Sequence, residues 1–356
     1  MTFMRAEIEE TPGIVRGLLR DAAAELDLVA TAIAAARPRH AVIAARGTSD
    51  NAGVFARYLI ETYLGLPAGL AAPSVITTYR ARLDWRGALV ISFSQSGQSP
   101  DIAAVSEAAR AGGALTIAVT NEPGSPLAAS AEYALTCRAG TERAVAATKT
   151  YVAELASIAA LVARLVPDSD LARGLPHLPD ALEAALAAGA AWIDRQPSLV
   201  SELARSERAF VVSRGYNLAT ALEIALKLKE TSLIMADGYS TADLLHGPVA
   251  LASPGVPMIV FRPDGPMGAS IDEGLAKARA ADSRPWVVGG RQAAGSTGGA
   301  GGRSDPQPLI LDDGLPESLT PLTYALPGQL AAEAVSRARG LDPDAPEGLT
   351  KVTRTN

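Results

Sequence analysis

The chain has 356 residues, 48% of them hydrophobic but only 4% aromatic, and a formal charge of −6. That length suffices for two domains with a substantial core, and the acidic balance argues against a general nucleic-acid binder. The single cysteine, Cys137, excludes an intramolecular disulfide and a cysteine-based metal cluster.

The chain opens MTFMRAEIEETPG, with acids where a secretory leader needs an apolar core. No uncharged apolar run of about 18 residues marks a membrane span. A soluble cytoplasmic protein is expected. In the first half, a strand from His40 to Ala45 ends in Arg46-Gly47-Thr48-Ser49, and a helix follows from about Asn51 to Leu64. A second strand, Ala88 to Phe93, empties into the serine-rich stretch 92–101, SFSQSGQSPD. A helix (Ile102 to Ala111), a strand (Leu115 to Thr120) and the turn Asn121-Glu122-Pro123-Gly124 come next. The Ala-rich stretch Leu155 to Ala191 reads as helices bridging the halves, broken by Pro167, Pro176 and Pro179.

The second half repeats the order. A strand from Arg208 to Ser213 ends in Arg214-Gly215-Tyr216-Asn217, and a long helix runs from about Ala219 to Met235. Another strand, Pro257 to Phe261, ends at Arg262-Pro263-Asp264-Gly265. Alternating strands and helices imply parallel sheets, and the repeated "strand, Arg-Gly-polar, helix" implies a duplicated α/β domain. The expected fold is two tandem three-layer αβα sandwiches, at 1–170 (with an N-terminal helix) and 199–340. A helical linker would occupy 171–198 and a tail 341–356. The Gly-rich run 293–304 reads as a surface loop; no Gly-Lys-Ser/Thr follows it, so it is not a Walker loop.

Ligands of such sheets bind beyond the carboxyl ends of the strands, where both Arg-Gly turns and the serine turn lie. Ser94, Gln95, Ser96 and Ser99 place hydroxyls, an amide and backbone N–H groups at a helix N-terminus, an arrangement that attracts phosphate. Thr48 and Ser49 contribute from the neighbouring turn. The plainer reading is a serine-rich helix cap.

Glu223, Lys227 and Glu230 fall at i, i+4 and i+7, hence on one helix face. A solvated face with an i,i+4 ion pair is the bland alternative. His246 sits in the turn Leu245-His246-Gly247-Pro248 and would titrate near neutrality. His40 and His177 read as structural.

In order along the chain, Gly47-Thr48-Ser49, Ser94-Gln95-Ser96-Gly97, Ala147-Thr148-Lys149, ALEIALKLKE (Ala221 to Glu230), His246-Gly247-Pro248 and Leu349-Thr350-Lys351 resemble the sugar isomerase (SIS) family. The order is that of the isomerase half of glucosamine-6-phosphate synthase, and nearly the whole chain takes part. The synthase's glutaminase half has a cysteine after the initiator Met; here Thr2 stands there, so no glutaminase activity is expected. The tail LDPDAPEGLTKVTRT resembles the stand-alone SIS-type glucosamine-6-phosphate deaminases.

The resemblance implies conversion of glucosamine 6-phosphate to fructose 6-phosphate and ammonia. It makes Glu230 the proton-transfer carboxylate, with Lys227 one turn away to steady its charge. It makes His246 the group that opens the sugar ring, reaching the site from the partner of a homodimer. Lys351 would meet the C1–C2 region of the sugar, as an amine able to form a Schiff base or polarise a carbonyl. Val145, Ala147 and Glu223 would line the sugar, with Ala147 replacing a family serine. A carboxylate raised in pKa by partial burial suits the proton transfer, and no metal or organic cofactor is expected, because a carbonyl or imine already acidifies the C2 proton. The rival readings are a fructosamine-6-phosphate deglycase and a regulatory SIS protein that binds without turnover.

Overall fold

Parallel strands cannot be joined by tight hairpins, so each must be followed by a crossover, and the chain supplies one after almost every strand. In a computed structural model, the structure describes residues 1–253, 255–296, 306–312 and 314–351. The first elements are α1 (Phe3–Asp21), α2 (Ala23–Ala36), β1 (His40–Ala44), α3 (Gly47–Leu59), β2 (Ala68–Leu70), α4 (Pro73–Thr77), β3 (Ala88–Phe93), α5 (Pro100–Ala111), β4 (Leu115–Thr120), α6 (Pro126–Ser130), β5 (Tyr133–Thr136) and α7 (Lys149–Leu165). Then come α8 (Asp170–Gly174), α9 (Leu178–Arg195), α10 (Pro197–Arg205), β6 (Arg208–Ser213), α11 (Leu218–Ser232), β7 (Met235–Ser240), α12 (Thr241–Leu245), β8 (Met258–Arg262), α13 (Gly268–Ala280), β9 (Trp286–Gly289), β10 (Leu309–Ile310) and α14 (Thr320–Ala338).

Two five-stranded sheets result, in the orders β2-β1-β3-β4-β5 and β10-β9-β8-β6-β7. Every pairing in both is parallel. Read from the other side, the second order is β7-β6-β8-β9-β10, so the two sheets have one topology and the duplication expected from the repeated turns is present. The chain forms two compact units. One, the first-sheet unit, holds Glu10–Glu142, Ala147–Pro176 and the chain from Thr350; the other, the second-sheet unit, holds Met1–Glu9, Arg143–Ala146 and His177–Leu349.

In the first-sheet unit all six residues of β3 are buried, the signature of a strand covered on both faces. One face packs Val90 and Ala118 against Ile102, Val105 and Ala109 of α5. The other meets α2, α3 and α7. Helix α7 is buried from Lys149 to Ala163, so this stretch is a core helix of its own unit and not a bridge. In the second-sheet unit, Phe210, Val212 and Val260 pack against Ile271 and Leu275 of α13. On the opposite face α11 lies against α14. Phe261 of β8 stacks on Tyr324 of α14, with ring centroids 6.4 Å apart.

Several boundaries differ from the sequence reading, each for a local reason. Helix α3 starts at Gly47, four residues before the predicted Asn51. Helix α11 stops at Ser232 because Leu233 turns left-handed (φ 53°) at its C-cap, and the predicted helical residue Met235 begins edge strand β7. Pro179 opens α9 and does not break it, since the missing N–H falls in the first turn. Strands β2, β5, β7, β9 and β10 have no counterpart in the prediction; four of them have four or fewer residues, and β7 carries Asp237 and Gly238. The Gly-rich run begins within a 3-10 turn, Arg291–Ser296, and from residue 297 lies outside the described residues.

Gly328 of α14 sets how closely α11 can approach. A Cβ there would lie 2.5 Å from Ile224 Cγ1 and 3.2 Å from the Phe261 ring. Gly328→Val is therefore expected to lower unfolding free energy by about 1–3 kcal/mol. A urea titration should show a lower midpoint at unchanged slope.

Candidate active site

Strand β3 delivers the serine turn to the carboxyl edge of the first sheet, and Gly97 closes it with φ +60°. A Cβ at Gly97 would collide with Ser125, so only glycine fits the turn. The turn is held by its own atoms. Ser94 Oγ accepts from Gly97 N (3.1 Å), and the Gln95 carbonyl accepts from Asn121 N (3.1 Å) and Thr120 Oγ1 (3.3 Å). Ser96 Oγ accepts from Gln98 N (3.3 Å). Ser99 is the N-cap of α5, yet its side chain makes no capping bond. The plain capping role is thus not what occupies that hydroxyl.

Beside this turn, Thr48 and Ser49 lie in the first turn of α3. Ser49 Oγ donates to Glu154 Oε1 (2.8 Å) of α7, a pair sealed from solvent. Its hydroxyl proton is therefore committed within the protein. Arg46, just before α3, pairs with Asp101 in the first turn of α5 (2.9 Å), tying the two turns at this edge together.

Lys351 belongs to the same unit. Its Nζ donates to Glu142 Oε2 (2.7 Å) and the side chain is 24% exposed. Glu142 itself is fully enclosed; it also accepts from Thr148 N (2.9 Å), Thr150 N (3.2 Å) and Thr150 Oγ1 (2.7 Å) at the start of α7. One carboxylate thus caps a helix and fixes the tail lysine. Ala147, half-buried, immediately precedes this cap.

The second-sheet unit holds the other candidates. Val145 N donates to the Asp344 carbonyl (2.9 Å), while Arg143 N and Ala144 N donate to the buried Glu7 carboxylate. Asp344 also accepts from Phe3 N (2.8 Å) and Met4 N (2.7 Å), the first turn of α1. On α11, Lys227 lies 2.6 Å from Glu230 Oε2 and 3.4 Å from Glu223 Oε1. Glu223 and Lys227 are 0% exposed and Glu230 is 26% exposed, so this is no solvated face. The expected grouping of the three on one side of the helix holds. His246, the C-cap of α12, is exposed.

The structure therefore gathers Thr48, Ser49, Ser94, Gln95, Ser96, Ser99, Ala147 and Lys351 in one unit, and Val145, Glu223, Lys227, Glu230 and His246 in the other. Sequence reasoning passes over Glu142 and Glu154, because a single acid in no recognisable spacing carries no signal. His177 is exposed and His40 is half-buried at the start of β1. Among the described residues, no cluster of three His, Cys, Asp or Glu side chains is arranged to hold a metal ion. Among them, too, no helix is long and apolar enough to cross a membrane.

The profile of the SIS domain family matches residues 35–164 and 202–285. Glutamine–fructose-6-phosphate aminotransferase (isomerizing) of Methanothermobacter thermautotrophicus is 35% identical over 350 residues, covering 98% of this chain and 57% of its own length. The Escherichia coli K12 protein of the same name is 31% identical, covering 98% and 58%. The chain thus spans less than two thirds of these relatives. A crystal structure from Silicibacter pomeroyi DSS-3, provisionally named a phosphosugar isomerase, superposes with a TM-score of 0.84 at 34% identity, over 97% of this chain and 100% of that one. The C-terminal domain of glucosamine-fructose-6-phosphate aminotransferase from Francisella tularensis gives 0.86 at 25% identity, over 97% and 98%. With the family profile matched over more than half of its residues and relatives aligned over nearly its whole length, the chain belongs to the SIS domain family.

Proposed function

We propose that this protein is a phosphosugar isomerase that converts glucosamine 6-phosphate and water to fructose 6-phosphate and ammonia. The observation that carries the reading is the charge arrangement on α11. Of three ionisable groups in mutual contact, only Glu230 reaches solvent, and its Oε2 is held on the Lys227 ammonium at 2.6 Å. A partly exposed carboxylate oriented by a buried cation is equipped to carry a proton between adjacent carbons. The likeness to phosphosugar isomerases and to an aminotransferase's isomerising half supports the same class of reaction.

In this scheme the serine turn holds the phosphate, and His246 of the partner subunit of a homodimer protonates the ring oxygen as the pyranose opens. Glu230 takes the proton from C2 of the open aldehyde and returns it to C1. The C2 amine becomes an imine, water adds to it, and ammonia leaves. Lys351, fixed by Glu142, places an ammonium near the C1–C2 region of the sugar, and Val145, Ala147 and Glu223 border it. No group beyond these side chains takes part in the scheme.

The first test is to supply purified protein with glucosamine 6-phosphate and no glutamine, and to assay both products. Equal release of ammonia and fructose 6-phosphate is expected. With neither product, a fructosamine 6-phosphate becomes the substrate to try, and a silent protein there would mark a binder. Glu230→Gln should lower kcat by about 10²–10⁴-fold with the fold intact. Turnover within about tenfold of the parent would remove Glu230 from the role of base. Mixed Glu230→Gln and His246→Ala proteins should regain activity through hybrid dimers. Hybrids that form but stay inactive would place His246 in the site of its own chain.

A further inference from the structure

We infer that the second-sheet unit contains a closed copy of the anion-binding edge, with the chain's own Glu317 carboxylate seated in it. The inference rests on reading the serine turn of the first-sheet unit as a phosphate holder. The matched sheet orders make β6 the counterpart of β1 and β8 the counterpart of β3. The helices that follow correspond as well: α11 to α3, α13 to α5, and α14 to α7.

The wiring of the two edges is the same in outline. After β1, Arg46 reaches Asp101 in the first turn of α5; after β6, Arg214 donates to Ser270 in the first turn of α13. Ser49 is bonded to Glu154 of α7; its counterpart Asn217 donates to Thr320 Oγ1 at the start of α14 (2.7 Å). Both strand-to-helix turns begin with a left-handed glycine, Gly47 (φ +56°) and Gly215 (φ +65°).

The difference lies in what faces these turns. Ser94, Ser96 and Ser99 of the first edge have Arg262, Asp264 and Met267 in their place, without a hydroxyl. Glu317, in the 3-10 turn Glu317–Leu319 that leads into α14, fills the position. A Cβ on Gly265 would overlap its Oε2, and a Cβ on Gly215 would lie 3.3 Å from its Oε1. Oε2 also accepts from Met267 N (3.5 Å), the N-cap of α13. The carboxylate therefore lies over both glycine turns at once, at helix N-termini that favour an anion. Burial raises this carboxyl group above the ordinary glutamate range, and the Met267 N–H draws it only part of the way back. Asp264 accepts from Arg262 Nη1 (3.3 Å) and Gln292 N (3.0 Å), and Arg262 Nη2 also holds Asp272 (2.6 Å). One phosphosugar per chain follows: the second edge is already occupied by a ligand that the chain supplies.

Removing the seated carboxylate should open the copy to a phosphate. Full-length parent and E317A would be compared by equilibrium dialysis against labelled inorganic phosphate. E317A is expected to bind one more phosphate per chain than the parent; an unchanged count in folded E317A overturns the inference. The increment is read against the parent, so a parent that binds no phosphate sinks the reading of the serine turn and leaves this test standing. Should E317A fail to fold in chloride, refolding in phosphate at equal ionic strength decides. Recovery confined to phosphate supports a vacated anion seat, and failure in both buffers overturns it.

Discussion

Parallel pairing is the constraint from which the rest follows. A parallel strand must be left by a crossover, and a helix that returns along the sheet starts at the carboxyl edge. All strand pairs of this chain are parallel, so each sheet presents a row of helix N-termini at one edge. Backbone N–H groups at such ends lack helical partners and attract negative charge. Everything notable at these edges is an answer to that demand: serines on the first, Asp101 in the first turn of α5, and Glu317 on the second.

The same demand accounts for two carboxylates that have no motif, the enclosed Glu142 and the half-buried Asp344. Glu142 accepts two backbone N–H groups and a hydroxyl at the start of α7 before it takes Lys351. Asp344 takes two N–H groups at the start of α1. A charge placed on several N–H groups is far less costly to bury than a bare one. These acids therefore fix chain segments remote in sequence. Residue 351 is held by residue 142, and residue 344 by residues 3 and 4, although no local pattern relates them.

Legibility in the sequence follows the same division between local and distant causes. The long strands β3, β4 and β6 are readable to the residue, because six apolar-rich positions bounded by turns leave one assignment. The duplication is readable because Arg-Gly recurs after a strand in each half. Strand β7 is hidden, since its Asp237 and Gly238 disfavour a strand and only pairing with β6 makes it one. At the candidate site, Glu223, Lys227 and Glu230 are legible as a set through helical spacing. Glu154 is illegible because its partner Ser49 comes from a distant segment, and Glu142 because no local pattern relates it to Lys351. Burial is the other quantity that spacing cannot report: the i,i+4 pair of Glu223 and Lys227 reads like a surface pair and is fully enclosed.

That enclosure decides what the set can be for. An exposed pair of this spacing is worth a few tenths of a kcal/mol and could be lost without consequence. An enclosed one is different, because removing one partner strands a charge and costs about 3–5 kcal/mol. Packing apolar residues in its place would often be neutral or stabilising, so stability alone is a weak reason for the triad. Lys227 pairs with both carboxylates, and of the two Glu230 alone has access to solvent. Glu223 and Lys227 are thereby enclosed together on the helix, while Glu230, oriented by the same ammonium, is the member that reaches solvent. The proposed role of Glu230 as a proton-transfer base calls for such an arrangement.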